Sequence, residues 1–467
     1  VDRARGHLDR AVADGGRAGE GGTMIGRRRL LAGSVASLAC LATRAASARG
    51  RIPYGAALSL HVPWPAGSLD PHRIDDAMAA FFGEALFDTL YAPDDGGALV
   101  PVLASGDPQP DAAGLRVAIR PGVRFASGAA LDARAVADSI ARARARDAAA
   151  WLVDVPPPRV TPDGLVFPLR DARALVRALA SPLVAVVAPR FAPEHPDGTG
   201  PFRAEQAAGV LRLVRNGMAA TGPAFLDGID ARRAPDLVTP LRAFESGSDD
   251  VGWLGSFLHE PRPGARSFDA GAVAWAILRT GKLAGALDAP GMAQALADGV
   301  PHAALAALVV GPPWEQSPAR WTGAPSDLLV ADDAPWLVEA ARALSVALSM
   351  PGHEVTPRPI AAGELAARRG SRAYALMLDV ARAAGPDALG TVLGLATADD
   401  PSAALALARH PPRGEMPPRR VTRSMRIGVV GEVRLQGGRA ADVVLPPSRW
   451  GRGVDWGSAY RARREKG

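Results

Sequence analysis

Residues 120 to 139 read RPGVRFASGAALDARAVADS, directly after the segment Leu115-Arg116-Val117-Ala118-Ile119. Leu115, Val117 and Ile119 alternate with other residues, the period-2 pattern of a strand with one buried face. Pro121 fixes φ and Gly122 tolerates positive φ, so the pair reads as a turn and residues 115 to 125 as a hairpin. Asp132 stands where a side-chain oxygen can cap a helix, and Val136 and Ile140, four apart, mark that helix's apolar side. The stretch therefore predicts strand, turn and capped helix in close succession.

The same patterns extend outward. Upstream, Leu58, Leu60 and Val62 alternate within a first strand over 51 to 64, and Phe81, Ala85 and Leu86 share one face of a helix over 76 to 90. Downstream, strands are expected at 165 to 170 and 210 to 215, with a turn at Gly198-Thr199-Gly200-Pro201. From about residue 256 helices (290 to 308, 335 to 349, 361 to 370) alternate with short apolar strands, including the buried LMLDV at 376 to 380. That alternation predicts an α/β lobe with helices on the sheet faces. Proline-rich stretches near 312 to 318 and 411 to 418 read as loops or crossings between lobes.

With 467 residues, 48% hydrophobic and 22% charged, the chain is long enough for two or more lobes and has a globular composition. Its one cysteine, Cys40, precedes the folded region, which excludes disulfide frameworks and thiolate metal sites downstream. From Met24, a plausible start, the chain runs through Arg27-Arg28-Arg29, an apolar stretch from Leu30 and the small-residue site Ala46-Ser47-Ala48. This is the order of a cleaved signal peptide. The apolar stretch has about a dozen residues, well short of the roughly 20 needed to span a bilayer. Arg27-Arg28-Arg29-Leu30-Leu31 resembles a twin-arginine export motif, with the general secretory route as the alternative. Cys40 is a poor lipidation site because the preceding Ser37-Leu38-Ala39 lacks leucine three positions before the cysteine, so a lipid-anchored form is the lesser alternative. Residues 1 to 48 carry eight arginines and four acids, so cleavage lowers the formal charge from +6 to +2 (6 − 8 + 4). The arginines after Pro411, among them Arg413, Arg419, Arg420 and Arg423, lack aromatic interleaving and predict a solvated surface rather than nucleic-acid binding.

Catalytic and metal motifs are missing. His353-Glu354 lacks the second histidine of a zinc helix, and His259-Glu260 runs into a proline. Leucine follows Gly281-Lys282 where a phosphate loop needs Ser or Thr, and Gly198-x-Gly200 lacks the third glycine of a dinucleotide fingerprint. No cofactor and no metal site is expected.

Several segments, in order, resemble the family 5 solute-binding proteins, the peptide/nickel-type substrate-binding proteins of ABC transporters. Leu69-Asp70-Pro71-His72 is similar to the family's LDPH segment and Phe87-Asp88-Thr89-Leu90 to its YDGL helix end. Residues 120 to 139 resemble its R-P-G-V-x-F-x-x-G-x-x-L-x-A-x-x-V-x-x-S signature, and Gly198 to Phe202 its GTGPY turn. Val214-Arg215-Asn216 and Leu241 to Gly247 follow in register. In the second half His353-Glu354-Val355 and Tyr374-Ala375-Leu376 are similar, and Pro386-Asp387 resembles the D-P turn. Val380, Ala381 and Ala384 stand where peptide-binding members carry G-W-x-A-D, whose aspartate holds a peptide's amino terminus. A free ligand amine is therefore expected to contribute little, unless Asp379 or Asp387 takes over.

The resemblance implies an α/β, bilobal periplasmic-binding-protein-like fold of type II, peptide-binding-protein-like, with the ligand cleft between lobes. It divides the chain into an extension and signal peptide (1–48), lobe I (49–255, with a return segment 411–445), lobe II (256–410) and a basic tail (446–467). The implied protein is a monomeric, periplasmic, non-enzymatic receptor for a small solute or short peptide, partnered with an inner-membrane ABC permease. Asp76, Ala77 and Met78 fall where members line the cleft, at a helix start whose free N–H groups suit an anion; ordinary capping is the alternative. Asp379 and Asp387 are candidate anionic anchors or turn caps. Trp253, like Trp64, Trp314 and Trp321, is a ligand platform or packing. The rival functions are an envelope sensor or chaperone of the same fold, a nickel or chelate carrier using His410, and a secreted hydrolase.

Overall fold

Leu58, Leu60 and Val62 point to one side of strand β1 (Ala57–Val62) and are fully buried, while Ser59 and His61 lie on its other face. The computed structural model describes residues 52–63, 68–207, 209–253, 262–305, 314–411 and 417–462. The export segment with Cys40, and also Trp64, His259 and Arg413, lie outside the described residues.

Helix α1 (Ala77–Leu86) starts at the cap Asp76, whose carboxylate accepts from Ala79 N at 2.8 Å. It stops short of the predicted residue 90, because Phe87 turns extended and its N–H donates to Gly83 O. A small hairpin, β2 (Tyr91–Pro93) and β3 (Leu99–Pro101), follows. Strands β4 (Gln109–Asp111), β5 (Gly114–Val117), β6 (Arg159–Thr161) and β7 (Gly164–Phe167) form an antiparallel sheet in the order β4-β5-β7-β6. The predicted 115 to 125 hairpin is corrected here: β5 pairs with β4 and β7, and Pro121-Gly122 only redirects the chain. The tight pairing comes later, where Leu131 N donates to Val123 O and Phe125 N to Ala129 O around Gly128. Asp132 caps α2 (Ala133–Ala145) by accepting from Ala135 N at 2.8 Å, with Val136 and Ile140 buried as the spacing requires. After β7 comes α3 (Ala172–Leu179).

The remaining strands build one mixed sheet. They are β8 (Phe202–Ala207), β9 (Val210–Arg215), β10 (Gly228–Arg233), β11 (Val251–Trp253), β12 (Arg266–Thr280), β13 (Ser326–Ala331), β14 (Val355–Ile360), β15 (Leu376–Arg382) and β16 (Ile427–Arg439). With β1 the order is β14-β13-β15-β12-β16-β11-β1-β10-β9-β8. Helix α4 (Val238–Glu245) precedes β11; α5 (Met292–Asp298) and α6 (His302–Leu305) replace the single helix expected over 290 to 308, broken at Gly299-Val300-Pro301. Helices α7 (Pro335–Leu348) and α8 (Ala362–Ser371) lie between the parallel strands β13, β14 and β15, and α9 (Ala388–Asp399) and α10 (Pro401–Arg409) follow β15.

Two long antiparallel strands, β12 and β16, hold this sheet together. At one end Arg439 of β16 pairs with Val251 of β11, and at the other β12 runs alongside β15 from Ala274 to Thr280. Both faces of β12 are covered: Ala274, Ala276 and Leu278 enter one apolar core, and Trp275 and Ile277 the other. Burial on both sides erases the polar alternation that would have marked it in the sequence.

Candidate functional site

The loop ahead of α1 is fixed by the LDPH segment. Asp70 receives two bonds from Arg142 (2.8 and 2.6 Å), and His72 is wholly buried. Arg142 lies 2.7 Å from His72 Nδ1, which therefore accepts, so Nε2 carries the proton toward Ala185 O at 2.8 Å. Burial, aided by the Arg142 charge, pushes His72 down to about 4, and the ring is neutral at physiological pH. This stretch is scaffolding.

From that anchor α1 presents its apolar residues Met78, Phe81, Phe82, Ala85 and Leu86 to the core. Its opposite side, continued just beyond its end, carries Ala80, Glu84 and Asp88 at intervals of four and lines a cavity of about 410 Å³. Glu84 and Asp88 thus face one space. Phe87, Phe225 and Trp450 supply aromatic surface, the segment Arg382 to Pro386 after β15 forms part of the wall, and Arg449, Arg452 and Asp455 add charge. Burial pushes the Glu84 carboxyl up to about 8, against the hydrogen bond of Ser448, whose Oγ lies 2.8 and 2.6 Å from the two carboxyl oxygens, and Asp455 adds to the rise. Asp88 is pushed up to about 6 by burial, opposed by the Thr199 hydroxyl at 2.8 Å. At neutral pH Glu84 is mainly protonated and Asp88 mainly ionised. Arg452 donates to Thr391 Oγ1 at 3.1 Å, while its Nη1 is buried without a hydrogen-bond partner. No histidine or cysteine is among the described residues lining this cavity.

A second cavity, of about 350 Å³, collects Asp76, Ala77, Met78 and Asp379. Two of these are already engaged. Asp76 accepts from Ala79 N, from Asp70 N at 2.8 Å and from Ser68 Oγ at 3.0 Å, and burial raises its titration. Burial would raise Asp379 too, but the Arg369 and Arg279 guanidiniums (3.2 and 3.0 Å) hold it below the usual carboxylate range. Asp387 lies in neither cavity: it caps α9 through Gly390 N at 2.8 Å and pairs with Arg177 at 2.6 Å. Trp253 sits on β11 opposite Gly437, its side chain outside the described residues. Trp321 is fully buried and donates to Ala324 O, and Arg419 lies 3.7 Å over the Trp314 ring, so both are packed. His410 is exposed at the end of α10, and among the described residues no group of three His, Cys, Asp or Glu is placed to hold a metal ion.

Ala384, the position without the amine-holding aspartate, is buried, and its carbonyl accepts from Ser181 Oγ. Two residues earlier Arg382 reaches across: Nε donates to Arg73 O at 2.8 Å, Nη2 to Pro71 O, and its backbone N–H to Ile74 O. The segment after β15 is therefore clasped to the loop ahead of α1, beside the larger cavity. Sequence reasoning missed Glu84, Asp88 and Arg452 as site residues. One signal existed, a single acid in the otherwise apolar AMAAFFGEAL.

Solved structures share this chain's fold. The pheromone receptor PrgZ, studied for its mode of peptide binding, superposes with a TM-score of 0.66 at 14% identity, over 88% of this chain and 100% of that one. This chain has the bilobal fold of the peptide/nickel-type solute-binding proteins. Within that fold, the ABC transporter-associated periplasmic binding protein DppA from Helicobacter pylori, in complex with the peptide STSA, matches at 14% identity and TM-score 0.62, over 88% and 99% of the two chains. NikA from Staphylococcus aureus in complex with Ni(L-His)2 matches at 14% identity and TM-score 0.60, over 87% and 100%. No protein-family model and no curated protein matches the sequence. No described helix is long and apolar enough to cross a membrane.

Proposed function

We propose that the protein is the substrate-binding component of an ABC transporter: it captures a peptide-like or other polar solute in the cell envelope and delivers it, unchanged, to an inner-membrane permease. The observation that carries this is the cavity between α1 and the segment after β15, walled by parts of the chain some three hundred residues apart (Glu84 to Arg382) and joined through β12 and β16. Its volume of about 410 Å³ falls within the roughly 300–1,000 Å³ of small-molecule sites, so the occupant is a small solute or short peptide. Asp88 and Asp455 offer negative charge, and Arg452 has a nitrogen lacking a partner. That pairing suits a zwitterion, the amine toward Asp88 and the carboxylate toward Arg452. Asp88 then takes the role that Ala384 cannot, while Asp379 and Asp387 remain engaged by arginines.

The protein acts as a monomeric receptor, exported to the periplasm by the segment from Met24 to Ala48, with lobe I at 49–255 plus 411–445 and lobe II at 256–410. Mass spectrometry of small molecules carried through native purification identifies the solute. Calorimetry then compares it with forms blocked at the amine and at the carboxylate. Each block should weaken binding by roughly tenfold or more, the loss of one charge-assisted hydrogen bond. Consumption of the solute at a rate proportional to protein would replace the receptor by a hydrolase.

A further inference from the structure

Glu84 and Asp88 both line the solute cavity, and each keeps part of its surface exposed. Among the described residues the Glu84 carboxyl bonds only with Ser448 Oγ and the Asp88 carboxyl only with the Thr199 hydroxyl, and neither forms an ion pair with an arginine. Other acids around the start of α1 and at β15 are paired: Asp70 with Arg142, Asp75 with Arg73 and Arg369, Asp379 with Arg279 and Arg369. The charged groups that bear on Glu84 are Asp455 and Arg449, both from the chain after β16. Arg449 is exposed and lowers Glu84 and Asp88 through its charge without pairing with either. Of the other guanidiniums in the wall, Arg382 is spent on the Arg73 and Pro71 carbonyls, and Arg452 donates to Thr391.

A carboxyl without a cation in a largely dry wall is costly, and Glu84 meets that cost by holding its proton at neutral pH. Glutamine would offer a neutral solute group the same hydrogen bond at any pH. What glutamate adds is a negative charge that appears once a cation is placed against it. Asp88 is already matched to the solute's amine, so the cation that answers Glu84 is a second one.

We propose that the solute is basic: besides the amine taken by Asp88, it carries a side-chain ammonium or guanidinium that pairs with Glu84. This rests on the reading of the cavity as the solute site. Pairing ionises Glu84, so its proton leaves to solvent while the solute's cation keeps its own. The full chain is titrated in a calorimeter with L-lysine, alanyl-lysine and alanyl-arginine, and with their neutral counterparts L-norleucine, alanyl-norleucine and alanyl-citrulline. At least one basic compound should bind saturably with Kd below about 1 mM, and its counterpart about tenfold or more weakly. Repeated near pH 7 in buffers of different ionisation enthalpy, the basic compound should release about one proton more than its counterpart. The ratio of the two affinities should rise between about pH 6 and 8, because Asp88 titrates near 6 and acts on both compounds alike. Glu84→Gln should bring the two affinities within a few-fold of each other and abolish the extra proton. Counterparts that bind as well as the basic compounds, or a preference that survives Glu84→Gln, would overturn the basic solute and leave the receptor standing. If none of the six saturates by about 10 mM, the cavity is not a site for amino acids or short peptides, and the inference falls together with that reading. Should Glu84→Gln fail to fold, the proton count of the parent decides, and equal release by both compounds overturns the proposal.

Discussion

Glu84 is a carboxyl whose chemistry is set by its surroundings. An exposed glutamate titrates near 4.5, and burial beside Asp455 pushes this one up to about 8. Between those values the folded protein holds a proton that the unfolded chain has released. The contribution to stability is therefore full below about pH 4.5 and is lost as pH rises through about 8. Glu84→Gln cannot ionise and keeps a partner for Ser448. It should unfold at the same temperature as the parent near pH 5 and at a higher temperature near pH 9, in thermal melts followed by circular dichroism. Parallel melting curves of parent and variant across that range would show that another group governs the alkaline loss.

At the level of elements, the turn at Gly198 to Phe202 positions α1 rather than merely linking strands. A Cβ on Gly198 would stand 2.1 Å from Leu86 O, and one on Gly200 2.6 Å from Leu86 C, so the turn rests directly on the last residue of the helix. Gly200 N also donates to Leu86 O at 3.0 Å. Gly198→Ala must displace that end, from which Phe87 and Asp88 enter the cavity, and overpacking of this kind costs roughly 1–3 kcal/mol. Gly83 provides the contrast. It lies inside α1 with nothing within 4 Å of the added atom, and alanine there should be stabilising by roughly 0.5–1 kcal/mol. Urea denaturation of the two variants should give opposite signs, and equal signs would mean that the turn does not bear on the helix.

For the whole molecule, the proposed division into two lobes sets the Arg382 contact across the hinge. Its side chain donates to two carbonyls of the loop ahead of α1, while β12 and β16 run antiparallel within one continuous sheet, the proposed connection between the lobes. On that proposal, separating the lobes costs the first set and spares the second, as hinge closure requires. Arg382→Gln shortens the reach and should shift the ligand-free protein toward an open form. The expected result in X-ray scattering is a larger radius of gyration than the parent, brought back by saturating solute, since a ligand touching both halves favours the closed form. Identical radii for parent and variant, with and without solute, would remove the hinge from the account.

The sequence by itself determined what depends on neighbours along the chain. Asp132 caps α2 because an acid before an apolar helix face can hardly do otherwise, and Leu58, Leu60 and Val62 face inward because strand side chains alternate. The order of motifs from Leu69 to Gly247 likewise led to the fold that the solved structures share. What only the tertiary structure decided has a common cause: it depends on groups far apart in sequence. Strand β12 showed no alternation because both its faces are covered by residues brought in from elsewhere. Asp379 looked free until Arg279, a hundred residues away, was folded against it. Glu84 looked like one acid among many, and it became a protonated wall of a cavity when folding packed Ser448, 364 residues later, against it and partly desolvated it.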